Sequence, residues 1–293
     1  PVESARLVEE WGIEGDAHVG KWHRQVSMLS FEKIEAFREK GADVDFGAFV
    51  ENLVVEGFDL SKVPVGTKFQ IGEAILELTQ IGKECHSHCA IYKVMGDCIM
   101  PREGVFTRVL KGGEIKAGDE ITMLPLEKDR PFTAAVITLS DKGAAGERED
   151  KSGPLIQEML MKEGYDVIET LLLPDGEQPL KHQLMRLADQ RQVNVIFTTG
   201  GTGFAERDVT PEATQAVCDR MAMGIADAIR QYSLSITGRA MLSRAVSGIR
   251  KKTLIVNLPG SPKAVKESLE YVLPYLGHGL GILRGTDGEC GNS

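Results

Sequence analysis

The run Val193-Asn194-Val195-Ile196-Phe197 leads straight into Thr198-Thr199-Gly200-Gly201-Thr202-Gly203. A branched apolar strand that ends in glycines leaves backbone amides bare, and bare amides close on anions such as phosphate. The loop is not a P-loop, because it lacks the lysine, and Gly201-Thr202-Gly203-Phe204-Ala205-Glu206 lacks the last glycine of the dinucleotide fingerprint. A plain strand-to-helix turn has the same composition, so the loop alone decides nothing. A second cluster offers different chemistry: Cys85-His86-Ser87-His88-Cys89, with Cys98 nine residues on. Three readings stay open for it. The residue types suit zinc, although the spacing is not that of a finger or knuckle; free thiols also simply pack in cores; and Lys83, His86 and His88 would favour a reactive thiolate. His18, His23 and Arg24 are candidates to meet an anion, with Glu51 and Asn52 equally at home in a turn.

The elements that must position these groups divide at the charged, proline-ended segment 126–131. Before it, short apolar pieces at 25–29, 52–55, 67–71, 74–81, 105–109 and 120–123 predict strands, with a hairpin turn at Ile71-Gly72-Glu73-Ala74 and one helix at 31–40. This is the pattern of a mainly β, barrel-like domain over residues 1–125. After it, strands at 134–139, 167–173, 193–198 and 254–257 alternate with helices at 154–163, 180–190, 211–221, 225–235 and 262–276. Alternation of that kind predicts an α/β domain over 132–284 with a largely parallel sheet covered on both faces. Thr210-Pro211 and Ser261-Pro262 read as side-chain N-caps followed by proline, and residues 285–293 read as a flexible tail.

Composition limits the function. At 293 residues the chain exceeds the roughly 150 residues of one domain. A net charge of -9 argues against a general nucleic-acid binder. No apolar run approaches the roughly 20 residues that span a bilayer, and the start has no signal pattern, which points to the cytoplasm. Five cysteines, an odd number, favour thiol or metal chemistry over a disulfide framework; Cys218 reads as a core residue and Cys290 lies in the tail.

In a parallel sheet the strands that precede helices end on one edge, where ligands collect. That edge gathers Ser140 and Asp141, Asp175, the glycine loop with Asp208, and residues 257–262. Carboxylates for a metal and amides for phosphates suit a magnesium nucleotide, with Lys142, Arg207, Arg230, Arg239 and Arg244 as nearby cations.

Leu139-Ser140-Asp141, Pro174-Asp175, the 198–203 loop, Arg207-Asp208-Val209-Thr210-Pro211, Leu242-Ser243-Arg244 and Asn257-Leu258-Pro259-Gly260-Ser261-Pro262 resemble, in order, the motifs of the molybdopterin adenylyltransferases, a family that also supplies a domain of gephyrin. The resemblance covers about residues 131–281. It implies an α/β sandwich, usually a homotrimer, that uses magnesium and ATP to place AMP on molybdopterin. It makes Asp175 and Asp208 the catalytic acids and the magnesium ligands. Cofactor contacts carried over are Ser140, Asp141, Thr199, Gly200, Gly201, Thr202, Gly203, Ser243, Arg244, Asn257, Leu258, Pro259 and Gly260, together with Asp227, where the family usually has glutamate.

The first domain resembles the MOSC domain, named for the carboxyl-terminal part of molybdenum cofactor sulfurases. The likeness rests on Gly12-Ile13-Glu14-Gly15-Asp16-Ala17-His18, Arg24-Gln25-Val26-Ser27, Phe46-Gly47, Phe49-Val50-Glu51-Asn52-Leu53, the cysteine segment and residues 112–121. It implies binding of the pterin cofactor or carriage of sulfur, with Cys89 the residue for sulfur or molybdenum and Cys85 and Cys98 accessory. Together the two resemblances imply molybdenum cofactor biosynthesis, with cofactor-insertion proteins or molybdoenzymes as partners. The rival readings are a pterin-binding scaffold without turnover, and a zinc or thiol enzyme in the first domain.

Overall fold

The structure, a computed structural model, describes residues 1–85 and 89–286. The chain divides into two compact units, Pro1–Glu127 and Lys128–Ser293. Among the described residues no helix is long and apolar enough to cross a membrane.

The first unit runs β1 (Ser4–Val8), β2 (Gly12–Ile13), β3 (Val26–Ser30), α1 (Phe31–Arg38), β4 (Leu53–Val55), β5 (Lys68–Ile71), β6 (Ala74–Ile81), α2 (Ala90–Met95), α3 (Met100–Glu103), β7 (Val105–Lys111), β8 (Gly113–Lys116) and β9 (Ile121–Leu124). Six strands form one sheet in the order β4-β3-β7-β6-β5-β9, and β2-β1-β8 form a second. The six-stranded sheet is curled, a half-barrel whose edge strands β4 and β9 do not pair with each other among the described residues. The hairpin at Gly72 forms, with Ile71 opposite Ala74 and Gly72 at φ 56°. Alternation in β6 buries Ala74, Leu76 and Leu78 beside Phe69 and Val109. Strands β1, β2 and β8 are additions to the sequence reading; β2 is only two residues long, and β1 and β8 are short and carry exposed polar residues, so no apolar run marks them.

The second unit runs β10 (Thr133–Leu139), α4 (Asp141–Ala144), α5 (Ser152–Lys162), β11 (Asp166–Leu173), α6 (Glu177–Met185), β12 (Val195–Thr199), α7 (Thr210–Val217), β13 (Arg220–Met221), α8 (Met223–Ile236), β14 (Ser247–Arg250), β15 (Thr253–Leu258) and α9 (Pro262–Arg284). Its sheet has the order β11-β10-β12-β15-β14-β13. The first four strands are parallel, and β14 and β13 are antiparallel additions at one edge. The strands read as continuous apolar runs because both faces are covered. Ala134, Val136, Val195, Phe197 and Val256 face a cluster with Ile156 of α5 and Leu269 of α9. Their neighbours Ala135, Ile137, Ile196 and Ile255 face Leu180 and Leu184 of α6 and Ala213 of α7.

Sequence expectations change around α7 and α9. Helix α9 continues past 276 to Arg284, carrying Pro274 inside it, and is closed by Gly285 at φ 85°. Helix α7 stops at Val217, because the chain is taken up by β13. Thr210 is not a cap: it lies within α7, the residue before the helix is Val209, and the Thr210 hydroxyl donates instead to the Gly200 carbonyl at 2.9 Å. Ser261 does cap α9, accepting from the Ala264 amide at 3.3 Å.

Candidate active site

A cavity of about 620 Å³ opens where β10, β12 and β15 end, and it is lined from all three ends as well as from Asp175 beyond β11. Glycine shapes its floor. Gly200 has φ 95°, and a Cβ there would stand 2.4 Å from the Leu139 carbonyl oxygen; at Gly201, φ 64°, it would stand 2.4 Å from the Thr210 hydroxyl. The loop therefore packs tightly between β10 and α7, which a side chain would prevent. The amides of Gly201, Thr202 and Gly203 donate to no protein group among the described residues, as in loops that bind anions through their backbone.

The acids stand beside it. Asp141 and Asp175 are locked reciprocally, the Asp141 amide donating to Asp175 Oδ2 at 3.2 Å and the Asp175 amide to Asp141 Oδ1 at 2.9 Å. Burial pushes the Asp175 carboxyl above its ordinary range; the charges of Asp141 and Asp208 push the same way, while the Asp141 amide and Arg207 pull it down. Asp175, Arg207 and Asp208 line the same cavity, and Asp141 joins them through its hydrogen bonds with Asp175. Asp208 Oδ2 accepts from the Ala205 amide at 3.0 Å. Among the described residues no three acidic, histidine or cysteine side chains form a cage that could hold a metal by themselves. Magnesium is characteristically bound by one or two carboxylates with the remaining positions left to phosphates and water, and Asp175 and Asp208 fit that partial role.

Of the sequence-derived candidates, Ser140, Asp175, Thr199, Gly200, Gly201, Asp208 and Gly260 line the cavity, as does Arg207. Asp141 adjoins it through Asp175. Thr202 and Gly203 continue the loop without lining the cavity, and the others serve as supports. Arg244 lies behind the loop: its Nε donates to the Gly203 carbonyl at 2.7 Å, its amide to Thr202 O at 3.0 Å, and its other nitrogens engage Glu212 and the Asp208 carbonyl. Asn257 is buried and saturated, donating to the Thr198 and Thr214 hydroxyls at 2.9 Å each and accepting from the Val246 amide at 3.2 Å. Leu258 is core, and the Pro259 carbonyl accepts from Thr199 Oγ1 at 2.7 Å. Asp227 pairs with Arg230 at 2.6 Å, whose guanidinium donates to the Ser243 carbonyl at 3.1 Å; neither Asp227 nor Ser243 lines the cavity.

One wall was absent from the sequence reading. Arg148, Lys151 and Ser152 line the cavity, with the Arg148 guanidinium on the Ser140 hydroxyl at 3.1 Å and the Ser152 hydroxyl on the Gly260 carbonyl at 3.0 Å. One residue ahead of the N-cap Lys151, Asp150 Oδ1 accepts from the first amides of α5, those of Ser152 and Gly153, both at 3.0 Å. That aspartate, two residues ahead of Ser152, is the signal that could have started α5 at Ser152 instead of Pro154. The lining also holds a buried hydroxyl, Thr138 Oγ1, without a hydrogen-bond partner among the described residues.

In the first unit Cys89 immediately precedes α2 and is exposed, as is Cys85, whereas Cys98 is buried. The amides of Tyr92 and Ile91 hold the Cys89 thiol below its ordinary range, and burial pushes Cys98 up. His86 and His88 lie outside the described residues, as does Cys290 with the tail from 287. Glu51 and Asn52 are turn-holding residues: the Glu51 carboxylate accepts from the Gly47 and Phe49 amides at 2.5 and 3.0 Å, and Asn52 Oδ1 accepts from the Ser27 amide at 2.9 Å. His18 pairs with Asp16 at 3.4 Å, His23 shares a 2.9 Å hydrogen bond with Gln80, and Arg24 stacks on Trp22 at 4.8 Å.

Comparison with known proteins adds to this geometry. Residues 135–278 match the family described as "Probable molybdopterin binding domain", and residues 15–122 match the MOSC domain. A molybdopterin adenylyltransferase of Helicobacter pylori is 40% identical over 153 residues, 52% of this chain and 87% of that protein. The enzyme of the same name from Haemophilus influenzae is 45% identical over 139 residues, 47% of this chain and 71% of its own length. Among solved structures, the molybdopterin biosynthesis enzyme MoaB of Thermus thermophilus superposes with a TM-score of 0.51 at 45% identity, covering 53% of this chain and 97% of that one.

Proposed function

The chain belongs to the molybdopterin adenylyltransferase family through its second unit and carries a MOSC domain in its first, and from that premise we propose that the second unit adenylylates molybdopterin with magnesium ATP in the cavity at the sheet edge. The observation that carries this reading is the meeting of Asp175, Asp208 and the loop from Gly200 at one rim.

The terminal phosphate of molybdopterin attacks the α-phosphorus of ATP, a new P–O bond forms, and the bond to pyrophosphate breaks. Such chemistry asks the protein for alignment and charge neutralisation. The amides of residues 201–203 bind phosphate oxygens, and Arg148, Lys151 and Arg207 offset charge along the walls. Asp175 and Asp208 are the residues that would hold magnesium. When bound with the nucleotide, the ion supplies positive charge at the leaving pyrophosphate. Arg244 and Asn257 act at one remove, keeping the loop and the end of β15 in place.

In the same reading the second unit acts as a homotrimer, and the MOSC domain binds the pterin or carries sulfur or molybdenum on Cys89 for transfer to molybdoenzymes. Exposed Met241, Leu242 and Tyr275 offer apolar surface for subunit contact. Incubation of the protein with molybdopterin and magnesium ATP is expected to yield adenylylated pterin and one pyrophosphate per turnover. A protein that binds pterin tightly yet releases no pyrophosphate would instead be a scaffold.

A further inference from the structure

The first unit holds a pair of thiols that adenylylation leaves unused. Cys98 is 6% exposed and sits in the cluster of Leu29, Ile34 and Phe37, against which Ile91 and Met95 of α2 pack. Helix α2 thus lies over Cys98, with exposed Cys89 at its head. Gly96, at φ 68°, ends the helix and turns the chain back. The Cys98 amide donates to Asp97 Oδ1 at 2.8 Å, and Asp97 is in turn held by two hydrogen bonds from Arg102 at 2.8 and 2.9 Å. The packing of Ile91 and Met95 on the cluster that holds Cys98 brings the head of α2, and Cys89 with it, beside the buried thiol, and each thiol acts on the other's titration. Both are free thiols.

We propose that Cys89 and Cys98 form a two-thiol exchange site for sulfur electrophiles of the disulfide class, in which Cys89 attacks and Cys98 resolves. The Cys89 thiolate attacks one sulfur of a small disulfide, the S–S bond breaks, and one thiolate leaves to take up a proton. A mixed disulfide now stands on Cys89. Cys98 loses its proton to solvent and attacks Cys89 Sγ, expelling the second thiol and leaving a Cys89–Cys98 disulfide. Two electrons have passed from the cysteine pair to the small disulfide, and the balance is closed. Exposure selects Cys89 for the first step, since only a reachable thiolate meets a solution reagent. Burial of Cys98 keeps it from reacting first, while contact with Cys89 makes the second step intramolecular and fast. The pair belongs to the first unit alone, so the inference does not depend on adenylylation.

The whole reduced protein, treated with glutathione disulfide and mapped by peptide mass spectrometry, tests it. Wild type is expected to end with a Cys89–Cys98 disulfide and no retained glutathione. Cys98→Ser and Cys98→Ala are expected to retain glutathione on Cys89, Cys85→Ser to behave as wild type, and Cys89→Ser to slow modification of Cys98 by about tenfold or more. The wild-type map decides even if a Cys98 variant fails to fold. An unreactive wild type, glutathione kept on Cys89, or a Cys85–Cys89 linkage would overturn the proposal.

Discussion

Asp175 is held where its charge is unfavourable, half-buried and near Asp141 and Asp208. Because its folded pKa is raised, its contribution to stability is full below the unfolded pKa and is lost as pH rises through the folded value. At neutral pH the ionised carboxyl therefore opposes folding, as expected of a group kept for function. Asp175→Asn should melt no lower than wild type at pH 7, with the difference shrinking toward pH 4, while adenylylation falls on the order of 100-fold. A lower melting temperature at pH 7 would mean that the side chain serves structure. Asn257 should behave oppositely. Asn257→Ala leaves the Thr198 and Thr214 hydroxyls unpaired in the core and should cost about 1–3 kcal/mol in urea unfolding. Both residues were conspicuous in the sequence, yet only the structure separates a cavity carboxylate from a saturated amide. Arg148 and Lys151 were not conspicuous, because a run of charged residues looks the same whether it faces water or a ligand.

At the scale of elements, the glycine loop works because β10 and α7 leave it no room. In Gly200→Ala the new Cβ would meet the Leu139 carbonyl at 2.4 Å with φ at 95°, so stability should fall by about 1–3 kcal/mol and activity with it. Gly260→Ala is the control, its Cβ meeting Gly200 only at 3.5 Å, an ordinary contact. It should fold as wild type in the same melting assay. The parallel strands were legible because burial on both faces makes them unbroken apolar runs, as in Val195 to Phe197. Strand β14 was not, since Ser247-Gly248-Ile249-Arg250 shows neither alternation nor an apolar run and is fixed by pairing with β15. The role of Thr210 escaped for a related reason: its hydroxyl answers a carbonyl ten residues away in sequence, not its own helix.

At the scale of the whole molecule, each hydrophobic cluster among the described residues draws on a single unit. Separate cores predict separable folding: a polypeptide of residues 128–293 should fold alone and keep pterin-dependent pyrophosphate release within about threefold of the full chain. The change in sequence rhythm near residue 126 made two units visible, whereas the thiol pair of the first unit is formed by a helix the sequence did not announce. The central claim is that acids and bare amides at one sheet edge grip a metal-bound triphosphate beside a pterin. A crystal structure with magnesium and a non-hydrolysable ATP analogue tests it most directly. The account predicts phosphate oxygens on the amides of residues 201–203 and the metal on Asp175 and Asp208; a nucleotide bound away from that rim, with both carboxylates untouched, would contradict it.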